Sequence, residues 1–214
     1  MFVSHNNSYN LLSRNHLTTF PAGLRYLPLI RTLDLSTNRI TRLPDVVVQN
    51  YATSMSVNLA DNLLRDVDSA RFVGVADRVD LSGNQLRRIA PESYLFVALR
   101  VVGDADFSRN MFTELPAAAY NSLDAIRRNL TFYSNFIAGL DNWRLDPEME
   151  STVRTLVLRR NVLSELPPNV TTSLRASLEH LDIRDNLLVT LDQSEIEEMS
   201  HLRQLDIRFF LLIN

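Results

Sequence analysis

An asparagine recurs at near-fixed intervals along this chain, each time inside the same apolar frame. The lines read Leu33-Asp-Leu-Ser-Thr-Asn38-Arg-Ile40, Val79-Asp-Leu-Ser-Gly-Asn84-Gln-Leu86 and Leu156-Val-Leu-Arg-Arg-Asn161-Val-Leu163. With the asparagine set at position 9, it occurs as Asn15, Asn38, Asn62, Asn84, Asn110, Asn135, Asn161 and Asn186, spaced by 22 to 26 residues. Position 6 is Leu12, Leu35, Leu59, Leu81, Phe107, Phe132, Leu158 and Ile183. Positions 11 and 14 are equally large and apolar, from Leu17 and Phe20 to Leu188 and Leu191. A ninth unit holds Leu202, Leu205, Ile207 and Leu212, with Phe210 where the asparagine belongs. One such unit cannot bury its apolar face alone, so neighbours must stack.

The pattern inside each unit has a physical reading. Apolar positions 4 and 6 alternate with polar positions 5 and 7, the period of a strand with one buried face. Strands that recur in one direction after a crossover are parallel. At a spacing of about 4.8 Å, nine strands span roughly 40 Å. Where the chain leaves the strand and turns inward, its backbone groups become buried and need partners. A short amide carries both a donor and an acceptor and can bridge adjacent turns.

The frame L-x-L-x-x-N-x-L resembles the leucine-rich repeat family over essentially the whole chain. The resemblance implies an α/β fold, a right-handed solenoid or horseshoe with a concave parallel sheet, of eight full repeats plus one partial. Positions 3 to 5 would supply the short strand, and helical or irregular segments would return along the convex side. Pro91–Ala98 and Pro116–Leu123 carry proline at an allowed first-turn position and are predicted helical. Ser194-Glu-Ile-Glu197 is a capping-box pattern predicted to open a helix through Met199. Asp146-Pro147-Glu148 is a further start signal, and Asp68–Gly74 is short enough for a single turn. The repeats leave no linker, so residues 1–214 are expected to form one domain. The first repeat starts within about ten residues of Met1, and Asn214 falls within the ninth. Open ends expose half a core, which predicts a fragment of, or truncation from, a longer array. Ends that cap themselves are the alternative.

Composition narrows the function class. Net charge is −3, so nothing draws the whole chain to nucleic acid or an anionic membrane. Cysteine is absent, which favours a reducing compartment or an internal piece of a longer ectodomain and leaves the localisation unknown. No basic region and apolar run of a signal peptide is visible, and Phe209–Ile213 is far too short to cross a bilayer, so no direct membrane insertion is expected in this segment. There is no Gly-rich phosphate loop, no H-E-x-x-H and no G-x-S-x-G, so no catalytic residues, cofactor or enzyme activity are expected. His5, His16, His180 and His201 are scattered and suggest no metal site. The sequons at Asn6, Asn129 and Asn169 are about what chance gives for 18 asparagines.

The concave face remains. Position 5 offers Asp34, Asp80, Asp106, Asp182 and Asp206, which can equally be scaffold. Position 7 is small in the first repeats, then becomes Tyr133, Arg159, Arg184 and Arg208. Arginine and tyrosine are enriched at binding hot spots, so these four are the candidate partner-binding residues. Asp182 and Asp206 are expected to pair with Arg184 and Arg208, leaving Arg159 the surplus. Position 10 carries Met111, Phe136, Val162 and Leu187, either an exposed apolar stripe or, as expected, side chains partly covered by neighbouring turns. The chain is thus expected to be a protein-interaction module that holds a protein or peptide, possibly acidic, on its concave face, with no nucleic-acid partner. The alternative is a ligand-sensing ectodomain fragment of a larger receptor or receptor-like kinase.

Overall fold

The computed structural model describes residues 9–26, 30–68, 70–89, 99–115, 128–140, 153–166, 174–191 and 196–208. Each repeat contributes one strand that ends at position 5: β1 (Tyr9–Leu11), β2 (Thr32–Asp34), β3 (Val46–Asn58), β4 (Arg71–Asp80), β5 (Leu99–Asp106), β6 (Asn129–Thr131), β7 (Thr155–Val157), β8 (His180–Asp182) and β9 (Gln204–Asp206). They form one nine-stranded sheet in sequence order, every neighbouring pair parallel. Register follows the repeat: Leu33 lies beside Val57, Leu130 beside Leu156 and Leu156 beside Leu181.

The corners after the strands are built on one plan. In the second to fifth and the eighth repeats the position 5 side chain accepts the N–H of position 7, as Asp34 does from Ser36 and Asp80 does from Ser82, both at 3.0 Å. These are Asx turns, and they give the aspartate column a scaffold role. Position 8 then takes a left-handed conformation in all eight repeats. Arg14, Thr37, Asp61, Arg109, Ser134, Arg160 and Asp185 sit at φ between 54° and 57°, and Gly83 at 64°.

The asparagines at position 9 close the turn. From Asn38 to Asn186, each carbonyl oxygen accepts the N–H of position 11 in the preceding repeat, at 3.0 to 3.1 Å. Each amide nitrogen donates to the position 6 carbonyl of the preceding repeat, at 2.9 to 3.0 Å. The ladder therefore bridges turns, and its members are buried because they serve buried backbone. Inside it, positions 4, 6, 11 and 14 form the continuous apolar core. In the fifth and sixth repeats the core is aromatic: the Phe107 and Phe132 rings stack at 5.2 Å, with Phe112 edge-on to both.

The return segments depart from expectation. Beyond the position 3–5 strands, β3, β4 and β5 extend back over 46–55, 71–77 and 99–103, so a second parallel ladder joins these repeats. It pairs Val48 with Phe72, Asn50 with Gly74 and Ala76 with Val101. Asp68–Gly74 is therefore not a lone turn, since strand begins at Arg71. The run Phe72-Val-Gly-Val75 is rich in residues that favour strand, and β3 and β5 supply edges on both sides. Helical character among the described residues is confined to single turns at Ala22–Tyr26, at Leu174 and at Ile196–Glu197. The last turn ends sooner than its capping pattern predicts, with the Met199 N–H bonded to the Ile196 carbonyl at 3.0 Å. The segments 91–98, 116–123 and 146–148 lie outside the described residues.

Candidate functional site: the concave face of the last repeats

Tyr133, Arg159, Arg184 and Arg208 each follow a strand by two residues, which places them at the same rung of β6, β7, β8 and β9. Beside them the sheet surface sinks into a depression of about 420 Å³, lined in part by Asp106, Thr131, Tyr133, Val157, Arg159 and Asp182. The depression has a polar rim and an apolar patch at Val157.

The arginines are held by carboxylates, Arg184 in the expected pairing and Arg208 in another. Arg184 forks onto Asp182, Nε to Oδ1 at 2.9 Å and Nη2 to Oδ2 at 2.7 Å. This bidentate contact raises its pKa further above the ordinary arginine value. Arg208 does not pair with Asp206. Asp206 accepts instead from His180 Nε2 and Gln204 Nε2, both at 2.9 Å, and the His180 hydrogen bond is the first cause of its lowered pKa. Those partners project from position 3 of the same face and lie closer to the carboxylate.

Arg159, which has no carboxylate on its own strand, finds one on the next repeat. Its Nε donates to Asp185 Oδ2 at 2.9 Å. Asp185 is the hub of the site: Arg160 Nε stands at 3.8 Å and Arg208 Nη1 at 3.7 Å. The Arg159 hydrogen bond first, then the surrounding positive charge, holds its carboxyl below the ordinary range. Arg160 also donates from Nη1 to the Tyr133 hydroxyl at 2.8 Å, and its guanidinium lies 5.6 Å from the Tyr133 ring centre.

The structure thus gathers the four candidates into one cluster and adds Asp185 and Arg160. Both additions sit at position 8, where the left-handed backbone turns the side chain toward the same rim. The earlier repeats are quieter: Arg78, at position 3, pairs with Asp80 at 3.1 Å and approaches Asp106 at 4.0 Å. At position 10, Met111, Phe136, Val162 and Leu187 are 40%, 56%, 38% and 49% exposed, an apolar stripe that is covered only in part.

A parallel solenoid with one strand and one bridging asparagine per turn defines the class of protein. Comparison with known proteins agrees. The family described as Leucine rich repeat matches residues 151–209. The chain is 29% identical to Podocan-like protein 1 of Mus musculus over 82% of its own length, and 24% identical to Transforming growth factor beta activator LRRC33 of Danio rerio over 84%. It spans only 30% and 27% of the length of those two relatives. Among solved structures, the LRR domain of a Shigella effector aligns over 95% of this chain and 82% of its own, with a TM-score of 0.55 at 21% identity. The complex of Latrophilin 3, Unc5D and FLRT2 (LRR) aligns over 97% of this chain and 77% of its own, with a TM-score of 0.58 at 20% identity. The last repeats thus match the leucine-rich repeat family, and the fold throughout is that of a leucine-rich repeat solenoid; such proteins generally mediate protein–protein interaction.

Proposed function

We propose that the concave face of the sixth to ninth repeats holds a polypeptide partner, with Tyr133, Arg159, Arg184 and Arg208 as the contact residues. The depression beside Tyr133 and Arg159 carries this reading, because it joins an apolar patch to convergent donors on a rigid sheet. An acidic segment suits the charge. Four guanidiniums, Arg159, Arg160, Arg184 and Arg208, face three carboxylates, Asp182, Asp185 and Asp206. Asp185 satisfies only Arg159 at hydrogen-bond distance, so Arg160 and Arg208 have donors to spare for a partner carboxylate. Carboxylates interleaved among these arginines would repel a continuous phosphate backbone, which argues against nucleic acid. The FLRT2 (LRR) neighbour occurs in a complex with other proteins, which supports a protein partner.

The test is binding of a glutamate-rich peptide at low and high salt by wild type and by folded Arg159→Glu/Arg184→Glu/Arg208→Glu. The expected result is about a tenfold loss in the variant and weakening with salt in wild type. Equal binding by the two proteins would move the site off this surface.

A further inference from the structure

The concave arginines are all tied to carboxylates, whereas among the described residues a second set is not. Positions 10, 12 and 13 follow the asparagine and form a flank running the length of the solenoid. In the second to fourth repeats this flank carries Arg39, Arg42, Arg65, Arg87 and Arg88 against one carboxylate, Asp66, all exposed. None of the five pairs with a carboxylate among the described residues, and Arg65 donates only to Gln85 Oε1 at 3.1 Å. In the fifth to eighth repeats the same positions hold no cation. They carry the exposed Met111, Phe136, Val162 and Leu187, with Glu114 and Glu165 beside them.

The flank is rigid. The position 10 N–H donates to the position 11 carbonyl of the preceding repeat at every step, from Arg39 to Leu17 at 2.8 Å through Leu187 to Leu163 at 2.8 Å. The side chains therefore stack at about the strand spacing of 4.8 Å, and seven repeats make a track of roughly 30 Å. Half of that track is basic, with Asp66 its one carboxylate, and half is apolar.

We propose that this flank is a second interaction surface, separate from the concave face, that takes an extended polypeptide segment acidic at one end and apolar at the other. The acidic end lies over the second to fourth repeats, where the five arginines attract it, and the fifth to eighth repeats offer no cation at these positions. The apolar half selects a polypeptide, since a nucleic acid or a sulfated polysaccharide has no apolar side chains to cover Phe136 and Leu187. All 22 cations of this chain are arginines, and the guanidinium fork matches a carboxylate bidentately. Among the described residues these arginines have no carboxylate partner that a ligand would have to displace.

The probe is a fluorescent synthetic peptide of about ten residues, enough to span the track at 3.3 Å per residue. It has a Glu/Asp block followed by a Leu/Phe block. Its control is an isomer of the same composition with the two residue types alternating. Anisotropy titrations use wild type, Arg42→Glu/Arg87→Glu/Arg88→Glu, Phe136→Ser/Leu187→Ser and the concave triple variant, each shown by circular dichroism to be folded. The block peptide is expected to bind at least about tenfold more tightly than its isomer. Each flank variant is expected to lose about that factor, and the concave variant to stay within about twofold. Equal binding of both isomers overturns the proposal. So does binding that needs the arginines but not Phe136 and Leu187 and is matched by heparin or single-stranded DNA, which makes the site a general polyanion site. Concentration-dependent dimerisation lost in both flank variants assigns the surface to a second copy instead. Loss only in the concave variant returns all binding to the concave face.

Discussion

Arg109 of the fifth repeat reaches over the fourth to Asp61 of the third, Nη2 to Oδ1 at 3.0 Å, and Gly83 lies beneath the bridge. All three residues occupy position 8. The device recurs at the other end of the strands, where Arg128 of the sixth repeat reaches Asp77 of the fourth at 2.7 Å over Gly103 of the fifth. A Cβ on either glycine would collide with this bridging arrangement.

Gly83→Ala is expected to destabilise the protein by about 1–2 kcal/mol, from left-handed backbone strain and displacement of Asp61. The bridge itself is about half exposed and contributes about 0–1 kcal/mol. Asp61→Ala in the same chain should recover part of the loss. Urea melts of the single and double variants measure both, and a Gly83→Ala midpoint equal to wild type would refute the steric argument.

Asn110→Ala is expected to cost about 1–3 kcal/mol, because it strips a partner from the Leu86 N–H and the Leu81 carbonyl in the buried turn. Asn15 holds the same position but is exposed and, among the described residues, its amide bonds only to the Leu12 and Ser13 carbonyls of its own repeat. Asn15→Ala should cost under about 0.5 kcal/mol. Similar losses in the two variants would show that the bridge between repeats is not what the asparagine contributes.

Two phenylalanines of opposite setting give a sharper contrast. Phe107→Ala empties the aromatic stack and is expected to cost about 3–5 kcal/mol. Phe136→Ala, on the exposed flank, should stay within about 0.5 kcal/mol of wild type. Thermal melts that rank the two the other way round would place Phe136 in the core.

Acid should loosen the last repeats. Asp185 and Asp206 have folded pKa values below the ordinary 3.8, so each stabilises the fold above that pH. That contribution fades as the pH falls through their lower folded values. Urea midpoints followed downward from pH 5 should drop more steeply in wild type than in Asp185→Asn/Asp206→Asn. Parallel curves would mean that these carboxylates titrate alike in the folded and unfolded chain.

The repeat itself was legible because its cause is local: every turn needs Asn38 or its equivalent, and every turn buries the same apolar positions. The placement of Tyr133, Arg159, Arg184 and Arg208 on one rung followed from that count. Their partners did not. Arg159 pairs with Asp185, 26 residues away and in another column, because a guanidinium reaches across a whole repeat. Position 8 gave little sign of its left-handed backbone, since glycine occupies it only at Gly83. The strand at Arg71–Gly74 was hidden for another reason: a short apolar run is strand only where neighbours present an edge, and β3 and β5 do.

That second ladder bears on curvature. A solenoid bends when its convex leg is wider than its concave leg, and a helix about 10 Å across set against strands about 4.8 Å apart forces such a bend. In the third to fifth repeats both legs are strand and share one hydrogen-bonded pitch. The same argument gives this stretch less bend than one backed by helices, so a ligand lying along it would meet a straighter rail.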